Sequence, residues 1–171
     1  MNETLQNLIT RKSCRSYKNE HISREEMEQI AEAGLNAPSG MNRQPQLFVC
    51  VQDDEMIDRL SKMNAEAGGM DHDPFYGARD LIIVLVKKEG RTYIYDGSLA
   101  MGNLMNAAWS MGMDSRWIHR AKEVFQTDEG KALLKEWGID CEVEGIGFCI
   151  LGHAKEEKDK TEIMANRVFY I

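Results

Sequence analysis

The sequence is short of long apolar runs. Its longest apolar run, Leu81-Ile82-Ile83-Val84-Leu85-Val86, falls far short of the about 20 residues that span a bilayer, so no membrane partner is expected. Met1-Asn2-Glu3-Thr4 shows no basic region leading into an apolar stretch, and the expectation is a cytoplasmic protein without a signal peptide. Positive charge is scarce as well: the formal net charge is -7. That argues against a nucleic-acid partner, because neutralising phosphates takes a basic surface, although a local basic pocket for one small anion stays compatible. The four cysteines, Cys14, Cys50, Cys141 and Cys149, form no C-x-x-C pair and no ligand spacing with a histidine, and read as reduced, mostly buried thiols. Asp71-His72-Asp73 alternates faces and has no evident fourth ligand, so it reads as solvated loop and no metal is expected. There is no Ser-His-Asp order, nucleophile elbow or Rossmann glycine fingerprint.

What is present describes one globular domain over residues 1–171. Hydrophobic residues make up 43% and charged residues 29%, and neither repeats nor linkers divide the chain. The eleven methionines read as adaptable core filler. Leu5, Leu8 and Ile9 share one face of a first helix. Ser23 and Glu26 form a capping box ahead of Met27, Ile30, Ala31 and Gly34 at helical spacing. Leu47 to Val51, Leu81 to Val86, Gly145 to Leu151 and Val168 to Tyr170 read as strands, and Ser115 to Ile118 as a short strand or an extended segment. Asp53 or Asp54 caps a helix through Met56, Ile57, Leu60 and Met63, and Thr127 opens another that stops at Gly138. Between Asp96 and Met111 apolar residues wrap most of the helical wheel, which suggests a dimer seam, the alternative being the central helix of a monomer core. Helices and strands mix without regular alternation, which points to α+β with a mixed, mostly antiparallel sheet.

Two segments carry polar chemistry. Arg11, Ser13 and Arg15 fall on one side of an extended chain, where two guanidiniums and a hydroxyl suit a phosphate or the edge of an electron-rich heterocycle. Each charge-assisted hydrogen bond there contributes about 1.5–3 kcal/mol; the plainer reading is a solvated helix end. Between Pro38 and Pro45, Ser39, Asn42 and Gln44 offer neutral donors and acceptors on a stiffened backbone, or simply satisfy a turn.

Together these segments resemble the nitroreductase family of FMN enzymes. Arg11-Lys12-Ser13-Cys14-Arg15-Ser16-Tyr17 is similar to its R-x-S-x-R opening, and Ala37-Pro38-Ser39-Gly40-Met41-Asn42-Arg43-Gln44-Pro45 to its second motif. Asp73 to Ala78, Asn103 to His119, and Gly145 to Gly152 followed by Arg167 to Ile171 continue the likeness in order. The resemblance implies an intertwined homodimer with two FMN sites at the subunit interface. It assigns Arg11, Lys12, Ser13 and Arg15 of one subunit to the phosphate, ribityl chain and ring edge. Pro38, Ser39, Asn42 and Gln44 would come from the other subunit, Asn64 would offer an amide to the pyrimidine ring, and Trp117, Ile118 and His119 would run along the flavin. It also implies NADH or NADPH as electron donor, a small electrophilic acceptor such as a nitroaromatic or quinone, ping-pong kinetics, and no essential acid, base or nucleophile. Flavin binding or storage without turnover is the alternative. Ile163-Met164 stand where relatives often carry Arg-Lys, leaving Lys158, Lys160 or Arg167 to substitute on the phosphate, and Gln46 and Arg79 replace a common aromatic and proline.

Overall fold

The computed structural model describes residues 1–156 and 159–171. Four strands, β1 (Gln46–Val51), β2 (Asp80–Lys87), β3 (Asp114–Ile118) and β4 (Val143–Gly152), form one sheet in the order β1-β2-β4-β3. Every pairing in it is antiparallel. Helices cover both faces, as the burial of β2 requires: Leu81 to Val86 are all buried, so neither face meets water. The two-residue alternation sorts the strand side chains. Leu81, Ile83 and Leu85 join Phe148 and Ile150 under α3 (Asp54–Gly68), α5 (Ala121–Gln126) and α6 (Asp128–Glu136). Ile82, Val84 and Val86 join Cys149 and Leu151 under α2 (Arg24–Leu35) and α4 (Tyr93–Ser110). A short helix, α1 (Glu3–Thr10), lies outside these layers.

The local start and stop signals act as their chemistry dictates. Ser23 and Glu26 close a reciprocal capping box on α2, Asp53 caps α3 by accepting from the Met56 N–H at 2.8 Å, and Thr127 caps α6. The left-handed Gly138 (φ 74) ends the chain's path beyond α6.

β4 carries one extra residue opposite β2: Val84 faces Gly147 and Leu85 faces Gly145, leaving Ile146 as a bulge. The flanking glycines permit close approaches. A Cβ on Gly145 would collide with the backbone of Ala121, and one on Gly147 would collide with Trp117 Nε1.

One expectation fails, and one element forms unannounced. Val168 to Tyr170 is not a strand; residues 159–171 hold no helix or strand and lie exposed, with Phe169 82% accessible. A strand needs a hydrogen-bonding neighbour, and the tail finds none within its own described subunit. Conversely, α5 forms without a sequence signal, because its N-cap, Arg120, sits at φ 77 and makes no side-chain capping bond. Among the described residues no helix is long and apolar enough to cross a membrane.

The α4 wheel resolves into two sides. Gly97, Ala100, Met101, Leu104 and Ala108 are buried against the sheet and α2, whereas Ile94, Tyr95 and Leu99 face outward. Leu5, Leu8 and Ile9 of α1 are likewise about half exposed (50%, 50% and 49%) although α1 is fastened to α4. Asn7 Nδ2 donates to the Asn106 carbonyl and Trp109 Nε1 to Thr10 Oγ1, each at 2.9 Å.

Candidate functional site

The chain leaving α1 becomes extended and joins β3. Ser13 pairs with Ser115 in a single parallel bridge, and Tyr17 pairs with Ala154 in an antiparallel one. Lys18 N–H donates to the His153 carbonyl and Lys155 N–H to the Ser16 carbonyl. Alternation turns Cys14 into the core and leaves Ser13 and Arg15 exposed beside a cleft of about 470 Å³, and a bend at Arg15 breaks the period so that Tyr17 is buried too. Burial pushes both the Cys14 thiol and the Tyr17 hydroxyl up from their ordinary values, so neither is charged at neutral pH. Burial likewise raises Cys149, on β4 opposite Trp117, to about 12.

The cleft gathers Arg11, Lys12, Ser13 and Arg15 from the first segment, Met105 from α4, and Asp114, Arg116 and Trp117 from β3. Glu156, Asp159, Lys160 and Thr161 complete it from the tail. Five cations therefore stand against three carboxylates, in a chain whose net charge is -7. Among the described residues none of those cations takes part in a salt bridge. Their local contacts are weak or aromatic. Arg11 Nη1 reaches the Lys12 carbonyl at 3.3 Å, and Lys12 Nζ lies 5.8 Å from the centre of the Trp109 ring. The Arg116 guanidinium lies 5.3 Å from the Tyr76 ring, and Lys160 Nζ donates to the Ile9 carbonyl. Unpaired guanidiniums beside a hydroxyl favour a phosphate-bearing ligand, for which they supply charge and forked donors together.

Trp117 is fixed on the wall of this cleft by the β4 bulge: its Nε1–H donates to the Ile146 carbonyl at 3.2 Å. Ile118 faces the opposite way, into the core beneath α5. His119 is exposed, and its carbonyl accepts from Asn64 Nδ2 at 2.7 Å. Asn64 is wholly buried in α3 and does not line the cleft, and its Oδ1 has no partner among the described residues.

The second motif lies apart from the cleft within one subunit: Pro38, Ser39, Asn42 and Gln44 are not among its lining residues. The loop is nevertheless shaped tightly. Met41, Asn42 and Gln44 adopt φ of 54°, 53° and 49°, an arrangement that costs non-glycine residues about 1–3 kcal/mol each and persists only where surroundings enforce it. Ser39 Oγ accepts the Gln44 N–H at 3.0 Å, and Gln44 Nε2 donates to Asn42 Oδ1 at 2.9 Å. Gly40 N–H donates to the buried Asp96.

Of the tail candidates, Lys160 reaches the cleft, whereas Arg167 is exposed and donates to the Met164 carbonyl. Lys158 lies outside the described residues. Sequence reading missed Arg116, Asp114 and Asp96. A cation next to Trp117 was the available signal for the first; the other two act through backbone groups that no spacing reveals. His21, at the surface, reaches the interior through one contact: its Nδ1 lies 3.1 Å from Asp80 Oδ1, a buried carboxylate that accepts from Ile22 N–H and Gln52 Nε2 as well. Asp73 accepts from the Phe75 and Gly77 N–H groups, a turn-closing role.

The profile of the Nitroreductase family matches residues 8–74. A protein of Archaeoglobus fulgidus, provisionally named NADH dehydrogenase/NAD(P)H nitroreductase, is 32% identical over 165 residues, covering 93% of this chain and 90% of that protein. A solved nitroreductase with bound FMN from Desulfitobacterium hafniense matches with a TM-score of 0.90 at 27% identity, covering 100% of this chain and 99% of its own. A second, also with bound FMN, from Bacteroides fragilis, matches with a TM-score of 0.89 at 25% identity, each chain covered in full.

Proposed function

This chain belongs to the nitroreductase family, and on that premise we propose that it is an FMN-dependent oxidoreductase that passes electrons from NADH or NADPH to a small electrophilic acceptor, a nitroaromatic, quinone or similar compound. The observation that carries the reading is the cleft itself: Arg11, Lys12, Arg15, Arg116 and Lys160, without salt bridges among the described residues, converge with Ser13 in an otherwise acidic protein. That donor set fits the phosphate and ribityl hydroxyls of FMN. Fixed guanidiniums hold a phosphate with forked bonds, and the serine hydroxyl both donates and accepts. With Ile163 and Met164 exposed and uncharged, Lys160, which lines the cleft, is the described tail residue that would add charge at the phosphate.

Bound FMN would supply the hydride and electron transfer between reduced nicotinamide and acceptor, so the protein's task is placement and electrostatics. Arg11 and Arg15 would hold the anionic end of FMN and bring positive charge to the cleft. Trp117, locked on the Ile146 carbonyl, forms the wall. Asn64 acts from behind the cleft, its Nδ2 donating to the His119 carbonyl so that the end of β3 keeps its course. No side chain of the cleft is required as acid, base or nucleophile. Donor and acceptor use one open face in turn, which gives ping-pong kinetics.

The site is completed by a second copy of the chain. The open apolar faces of α1 and α4 and the tail ending in Phe169-Tyr170-Ile171 are the surfaces that would join, bringing Pro38, Ser39, Asn42 and Gln44 of one subunit to the ring edge held by the other. Burying each Leu or Phe there contributes about 1.5–3 kcal/mol. The protein would act in the cytoplasm.

The test is an anaerobic titration of purified, FMN-loaded protein with NADH or NADPH. Rapid bleaching of the yellow flavin, reversed by a quinone or nitroaromatic, is the expected result. Retained colour in the presence of both donors would favour storage without turnover, and a colourless protein that takes up no added FMN would sink the cofactor assignment.

A further inference from the structure

Asp96, in the first turn of α4, lies outside the cleft and is 3% exposed. Its Oδ1 accepts the Gly40 N–H at 2.9 Å and its Oδ2 accepts the Thr92 hydroxyl at 3.0 Å. Gly40 is pressed so closely on Thr92 that a Cβ there would collide with Oγ1. The next residue, Gly97, sits on the sheet, where an added Cβ would fall 2.6 Å from both Val86 and Ile146. The carboxylate is thereby mounted where α4 packs tightly on the sheet, and it holds one end of the 39–44 loop. The other end is held where Lys87 N–H donates to the Pro45 carbonyl at 2.9 Å. Between these clamps Met41, Asn42 and Gln44 are kept left-handed. The Gln44–Asn42 bond leaves Asn42 Nδ2 as donor and Gln44 Oε1 as acceptor, both without partners among the described residues, on two exposed side chains.

We propose that Asp96 is a positioning residue for flavin binding: by holding Gly40 it presets the Asn42 and Gln44 amides in the arrangement that meets the donor and acceptor edge of the flavin ring in the partner subunit's cleft. The inference rests on the reading of that loop given above. A buried carboxylate that accepts only a backbone N–H and a hydroxyl has no surface role, and the conformation it enforces would not persist unaided. The chain carries the ordering cost of the loop at folding rather than at ligand binding, which raises affinity by preorganisation.

The test compares Asp96→Ala, Asp96→Asn, Thr92→Val, Asn42→Ala and Gln44→Ala as purified full-length proteins. Each is titrated with FMN, its visible flavin bands are recorded at saturation, and its thermal midpoint is measured. Asp96→Ala should weaken FMN binding about tenfold and shift the flavin bands, as loss of preset polar contacts requires. Asp96→Asn, which keeps an oxygen for Gly40, should restore affinity to within about threefold. Thr92→Val, which leaves the Gly40 bond in place, should give a smaller change in the same direction and serves where Asp96→Ala does not fold. Wild-type affinity and bands in Asp96→Ala or, failing that, Thr92→Val, beside altered ones in Gln44→Ala, would overturn the inference and leave the site reading standing. A lower thermal midpoint with unshifted bands and no rescue by asparagine would also overturn it. If Asn42→Ala and Gln44→Ala leave affinity and bands untouched, the loop does not meet the ring, and the site reading itself fails.

Discussion

Cys14 N–H donates to the Ser115 carbonyl at 3.2 Å, and this one bond sews the arginine segment to β3. It fixes the alternation that sends the Cys14 side chain into the core and turns Ser13 and Arg15 outward to the cleft. Arg15→Ala and Arg11→Ala should therefore each weaken FMN binding at least about tenfold, the loss expected for one charge-assisted contact. Lysine at either position should recover only part of it, because an ammonium cannot make the forked bond. Equilibrium titration at fixed ionic strength decides the matter, and full flavin occupancy at low FMN in Arg15→Ala would contradict the assignment.

The open face of α1 and the exposed tail are expected to be buried between two copies. Leu8→Lys or Phe169→Asp counts twice in a two-fold dimer, a loss of about 3–6 kcal/mol per dimer. Sedimentation should show the dimer giving way to monomer, with FMN released at the same time. A dimer that keeps its flavin in both variants would remove these surfaces from the interface.

Gly147 makes room for the Trp117 indole on the β4 bulge. Gly147→Ala should displace that ring from the Ile146 carbonyl and lower stability by about 1–3 kcal/mol, the usual cost of overpacking. For a chain of this size each kcal/mol lowers the thermal midpoint by about 2–4 °C. Near-ultraviolet circular dichroism should report the displaced indole; an unchanged spectrum and midpoint would refute the packing role.

Glu26 closes the α2 capping box, and the Ser23 N–H and hydroxyl hold its carboxyl below the ordinary glutamate value of 4.5. A carboxylate whose pKa is lower folded than unfolded contributes stability above the unfolded value and loses it as pH falls through the folded one. Wild type should therefore lose part of its stability below about pH 4.5. Glu26→Gln should be slightly less stable near neutrality and show a shallower acid limb. Because the side chain is largely solvated, the difference is small, and urea unfolding at a series of pH values is the measurement. Parallel acid limbs would exclude the linkage.

Much of the framework was legible because it depends on near neighbours. The continuous apolar run of β2, the Ser23–Glu26 box, the Asp53 cap and the left-handed Gly138 are set by period, side-chain reach and glycine's freedom of φ, all written within a few residues. The outward pair of Ser13 and Arg15 around the inward Cys14 follows from the two-residue repeat of extended chain. The tertiary structure alone decided what those elements meet. Arg116 reaches the cleft because β3 lies at a sheet edge beside the first segment, and Trp117 takes its place from a bulge in a strand some thirty residues later. Asp96 acts on Gly40 across 56 positions of sequence. Residues 168–170, apolar and suited to a strand, form none, since a strand exists only where another backbone offers its N–H and C=O groups, and that partner is not written in the segment itself.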